Sequence, residues 1–211
     1  MFSSRSFILA LVAALTAGTA IGVLAPLLQT PDVLAAHVAH LVLAAGWSWG
    51  ALAFCVGLAR KSRIESAVLA PASLIAGVIV YYVTKLEQGQ FLAADLDDPS
   101  KATHVYWAGF LSKTIFWCAA ACVLGLILGL AGNLARNRGL RGLPFRVLIP
   151  LVVIVETSQR LRFEAPLQGA VASTTWSVAR LVAVAVLIVL IADTVINLRL
   201  RRSAGQPEGR A

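Results

Sequence analysis

Ionisable and aromatic side chains set inside long apolar stretches are where this sequence could do chemistry. His37 and His40 stand three residues apart, so on a helix they share a face. Lys113, Glu156 and Arg180 each interrupt or close an apolar run, and Tyr82 ends another beside Tyr81. An ionised group in hydrocarbon needs a partner, a water-filled cavity or a reach to the interface. Two arrangements satisfy that requirement. One is a pocket made by His37, His40, Tyr82, Lys113, Glu156 and Arg180. With two cations against one carboxylate it would be net positive and would suit an anionic solute or a lipid headgroup. The other, and the leading reading, is structural. Lys113 and Arg180 run their long stems toward the interface, and Glu156 pairs with one of Lys113, Arg180 and Arg160.

Metal and nucleophilic chemistry fit less well. His37, His40 and His104, near Asp95, Asp97 and Asp98, are residue types a zinc ion accepts. The two helical histidines are not spaced i, i+4 and no acid lies between them, so no metal is expected. Ser112 points in a different direction around its helix from Lys113, which leaves no nucleophile beside a base. No catalytic residue and no cofactor are expected. Cys55, Cys118 and Cys122 lie in apolar stretches without a CxxC pair and read as small buried residues.

The elements that must position these residues are membrane spans. The chain has 211 residues, 59% hydrophobic and 13% charged, with a mean hydropathy of +0.82. That composition places it in the membrane class. Apolar runs predict spans at about 7–28, 33–58, 66–83, 106–134, 143–157 and 174–198, followed by a basic, disordered tail over 199–211. Arg5 ahead of the first run resembles a signal peptide, but the run is too long and reads as an uncleaved anchor. Asp32 is placed to cap span two, which shows no internal break. Span five is short, with Pro150 in its middle, and broken helices mark many transporter sites. A polar loop is expected over 158–173 and an acidic one over 86–105.

Twelve of the eighteen basic residues fall at the N-terminus, in the 60–63 and 136–146 loops and in the tail; four fall on the other side. The bias predicts both termini in the cytoplasm. The net charge of +8 therefore reflects topology rather than nucleic-acid binding. The pairs Gly18/Gly22, Gly46/Gly50 and Gly125/Gly129 predict close helix packing within the chain, with a homodimer or partner face as the alternative. The tryptophans read as packing residues and interface anchors, Trp107 and Trp176 at the outer span starts.

Trp47-Ser-Trp-Gly50 before the basic 60–63 loop, Tyr81-Tyr82 closing span three, Phe116-Trp117 leading to Gly125, Gly129 and Gly132, and Glu156 closing a short fifth span form a recognisable pattern. It resembles a family of small multi-pass actinobacterial membrane proteins defined only as a domain of unknown function. That resemblance implies fold and membrane location and brings no activity. The expectation is an all-α integral membrane bundle of six transmembrane helices, N-in and C-in, in the plasma membrane. Its expected role is non-enzymatic, structural or accessory, with the lipid bilayer and a membrane partner as its company. The alternative is a small-solute or lipid transporter using the outer pocket.

Overall fold

The computed structural model describes residues 4–30, 32–93, 104–137 and 139–204. The apolar runs form helices α1 (Ser4–Leu27), α2 (Leu34–Leu43), α3 (Gly46–Leu58), α4 (Arg63–Glu87), α5 (Trp107–Leu134), α6 (Leu143–Arg146), α7 (Leu148–Phe163) and α8 (Ala165–Ala204). Between α4 and α5, the two-residue strands β1 (Leu92–Ala93) and β2 (His104–Val105) pair antiparallel. A chain this apolar folds as helix because hydrocarbon offers no water to its backbone polar groups. Helices α1, α4, α5 and α8 are long and apolar enough to cross a membrane. Together α2 and α3 would make a fifth crossing, bent by 63°.

Several boundaries differ from the sequence reading. Span two is broken after all, at Ala44 and Ala45. Asp32 does not cap it: Val33 holds the N-cap position, with no side-chain hydrogen bond. The fifth segment is helical in two pieces, α6 and α7. Pro150 has no N–H to give the Arg146 carbonyl, and α6 ends at Arg146. Helix α7 then runs past Thr157 to Phe163, which places Arg160 at i, i+4 from Glu156 and from Glu164, and it bridges both. The 158–173 stretch is thus mostly helix. Its one sharp feature is Gly169, whose φ of 83° and ψ of −172° are open only to glycine, so the long run of α8 begins after it. Residues 199–204 of the expected tail continue α8, and 205–211 lie outside the described residues, as do Asp95, Asp97 and Asp98.

Small residues set the packing. Helix α4 is sandwiched between α1 and α5, and α3 packs on both α4 and α5. Gly18 and Gly22 of α1 lie against the backbone at Ser73 and Gly77 of α4. Ser73 Oγ donates to the Ala14 carbonyl at 2.7 Å across that seam. On the other face of α4, Gly125 meets Pro71, and Gly129 meets Ala70 and Ser66. Gly57 of α3 faces Gly129, and Gly132 faces the Phe54 carbonyl. Ala53, Ala70 and Ala121 fill the core between Leu74 and Val78. At the end of the bundle carrying the basic loops, Asn133 Nδ2 donates to the Arg60 carbonyl at 2.7 Å and to Ser66 Oγ at 3.2 Å. Helices α7 and α8 pack chiefly on each other and reach the rest through α3, α2 and α6.

A Cβ at Gly129 would fall 2.6 Å from the Ala70 Cβ and 2.7 Å from the Ser66 carbonyl oxygen, and backbone cannot yield there. Gly129→Val should therefore destabilise the bundle by about 1–3 kcal/mol. Gly50→Ala, whose Cβ would meet only a Leu128 methyl at 3.5 Å, should stay neutral or stabilise by up to about 1 kcal/mol. Denaturant titration of the purified protein in detergent micelles separates the two.

Candidate functional site

The break between α2 and α3 is the most elaborated polar feature inside the apolar part of the chain. Three amides at the start of a helix have no carbonyl within that helix, and in hydrocarbon each needs an acceptor. Glu156, on α7, supplies it. Its carboxylate accepts from the Gly46 amide at 2.9 Å and the Trp47 amide at 2.7 Å. The Ser48 amide turns back to the Ala45 carbonyl at 3.1 Å. On the other side of the break, Ser48 Oγ donates to the Val42 carbonyl at 2.5 Å and Trp49 Nε1 to the Leu43 carbonyl at 3.0 Å. The Trp47-Ser-Trp-Gly50 motif thus closes the carbonyl end of α2, while a distant carboxylate closes the amide end of α3.

Arg160 is the cation of this junction. It contacts Glu156 at 2.9 Å and Glu164 at 3.0 Å, and its guanidinium lies 5.6 Å from the Trp176 ring. Of the three cations that competed for Glu156 in the sequence, the partner is Arg160. Neither Lys113 nor Arg180 reaches it. Two carboxylates, one guanidinium and the positive end of α3 leave the junction close to neutral. Glu156 is the ninth residue of α7, so the junction sits in mid-helix rather than at a helix end.

The other candidate residues are dispersed. Lys113 is exposed on α5, a helix that does not pack on α7 or α8, and its Nζ sits 5.6 Å from the Phe91 ring. Phe91 belongs to a row of rings running Trp49, Tyr81, Tyr82, Phe91, Phe110, Trp107, with neighbouring centroids 5.4–6.2 Å apart. Tyr82 is half-buried in that row, and Lys85 covers Tyr81 at 4.7 Å. His40 Nδ1 lies 2.6 Å from the Ala25 carbonyl, so the ring carries its proton there and caps the C-terminus of α1. Gln88 Nε2 does the same for Pro26 at 3.1 Å. His37 and Arg180 are half-buried, with no side-chain hydrogen bond or ion pair among the described residues. The net-positive cluster of six is therefore not assembled. Trp176, expected at an interface, is 1% exposed and packs on Leu41 and Ala172.

Sequence reasoning found Glu156 but missed its acceptor role and the contributions of Gly46, Ser48 and Trp49. The available signal was Gly46 beside a serine and two indoles in mid-span: a weak helix former next to side chains able to donate. Among the described residues no group of three metal-ligating side chains converges.

A bundle of helices, at least four of them long and apolar enough to cross a membrane, defines a helical membrane protein. The chain belongs to DUF6518, a family of unknown function whose model matches residues 1–205. No curated protein and no solved structure matches it.

Glu156→Ala would leave the Gly46 and Trp47 amides without acceptors, at about 1–3 kcal/mol each. A loss of roughly 2–4 kcal/mol is expected, with Glu156→Gln retaining about half of the interaction. Thermal unfolding in detergent should rank wild type above Glu156→Gln above Glu156→Ala.

Proposed function

We propose that this chain is a non-enzymatic accessory membrane protein of the plasma membrane, crossing it six times with both termini in the cytoplasm. The observation that carries the reading is the use of its ionisable groups. Glu156 and Arg160 hold the α2/α3 break, His40 caps α1, and Lys113 rests on an aromatic ring. Such groups support a fixed shape, and among the described residues no group of metal-ligating side chains faces a common space. The sixth crossing would be α6 and α7 together, which span 143–163, roughly 30 Å if both lie along the membrane normal. The basic bias supports the orientation.

The broken helix supports a second reading, transport of an anionic solute. In that case the solute's carboxylate would displace Glu156 from the α3 N-terminus, as substrates sit on half-helix termini in transporters.

Single cysteines in a Cys-free background test both parts. Ser3→Cys and Ser203→Cys should react with an impermeant thiol reagent only after cells are permeabilised. A Ser203→Cys that labels in intact cells, with Ser3→Cys silent, would mean an odd number of crossings. Ala45→Cys and Arg180→Cys should stay silent from outside; labelling at both would favour the transport reading.

A further inference from the structure

A groove of about 410 Å³ lies between α3, α7 and α8. That is the size of a small-ligand site. Phe54, Val153, Ala183, Val186 and Leu190 form its walls, Trp47 stands at one end, and Arg146, the one charged side chain of its lining, at the other. Along α8 it runs from Ala179 to Leu190, 11 residues or roughly 16 Å. One leaflet of a bilayer's hydrocarbon core is about 15 Å deep, half of the full ~30 Å. The match has a structural origin: Trp47 belongs to the α2/α3 break at depth, and Arg146 belongs to the basic end. The groove therefore runs from a headgroup level to the middle of the membrane.

On the α5–α6 side of its mouth the charge is positive, while Asp193 lies three residues beyond Leu190 on α8 and accepts from Asn197 Nδ2 at 2.9 Å. Residues 135–148 contain Arg136, Arg138, Arg141 and Arg146 and no acidic residue. Arg146 Nε donates to the Ala135 carbonyl at 2.8 Å and Nη2 to the Asn137 carbonyl at 3.0 Å. Those bonds use two of the five guanidinium donors and hold the group in place. Nη1 has no partner among the described residues. A guanidinium held rigid with donors unspent is suited to a phosphate. Water does not fill an apolar cleft of this kind, and the apolar molecule present in the surrounding hydrocarbon is a lipid chain. Basic sites between membrane helices bind anionic headgroups.

We propose that this groove holds one acyl chain of an anionic phospholipid whose phosphate sits on Arg146. The site adjoins the Glu156 junction at Trp47 and does not depend on the accessory reading.

The test is native mass spectrometry of the whole protein released from micelles containing equal phosphatidylglycerol and phosphatidylcholine. Wild type should retain one phosphatidylglycerol, at least tenfold over phosphatidylcholine. Val186→Trp, placing an indole in the groove from a side chain 42% exposed, should lose it. Ile188→Trp, at a position 61% exposed and not lining the groove, should keep it. Arg146→Gln should bring the two lipids to equal retention; if that variant does not fold, Val186→Trp and its control decide. Equal retention by wild type, or undiminished phosphatidylglycerol in Val186→Trp, overturns the proposal. So does equal loss in both tryptophan variants, which would indicate general surface lipid. A dimer that disappears in Val186→Trp would assign the groove to a second copy of the chain and overturn it too.

Discussion

A backbone amide in hydrocarbon must have an acceptor, and this bundle depends on how that constraint is met at one point. Where α2 stops and α3 starts, amides and carbonyls are freed at the same depth. The carbonyls are met locally by Ser48 and Trp49. The amides are met from α7 by Glu156, which pairs with Arg160. Because α7 also carries the partnership with α8, the junction ties the last two helices to the first five. A carboxylate is the appropriate acceptor: it serves two amides at once and faces the positive end of the helix it caps.

The two parts of the bundle are held by different physics. Helices α1, α3, α4 and α5 approach through glycine, alanine and serine, so that backbone meets backbone and dispersion acts over many close contacts. Helices α7 and α8 meet the rest through fewer and more specific contacts, the Glu156 junction and the buried Trp176, while α6 is held by the Arg146 bonds to the 135–137 turn. Substitutions that enlarge small residues damage the first part. Substitutions that remove a donor or acceptor damage the second. The groove lies along the border between them, where close packing gives way to these few contacts.

The periodicity and length of the apolar runs made the helices legible, because any chain in hydrocarbon must close its own hydrogen bonds. Two of the glycine pairs, Gly18/Gly22 and Gly125/Gly129, also reported their role, standing at the spacing that brings one helix face against another, whereas Gly46 faces the Glu156 carboxylate and Gly50 only a Leu128 methyl. The break in span two was hidden because no proline or charge marks it. Ala44 and Ala45 are good helix formers, and the determinant, Glu156, is far away in sequence. Pairing at the site was equally hidden: three cations competed for one carboxylate, and the choice of Arg160 follows from α7 continuing past Thr157. Lys113, which reads as a buried charge in one dimension, lies on an exposed face of α5 against Phe91.

The capping of α3 by α7 has a consequence in time. Glu156 follows Gly46 by 110 residues. At a synthesis rate of roughly 5–20 residues per second, about 5–20 s pass before the carboxylate exists. During that interval a bent second span would hold bare amides in lipid, whereas one continuous helix through Ala44 and Ala45 would satisfy them. The bend would then form when the fifth segment arrives. Maturation of this protein would thus end with the breaking of a helix already inside the membrane.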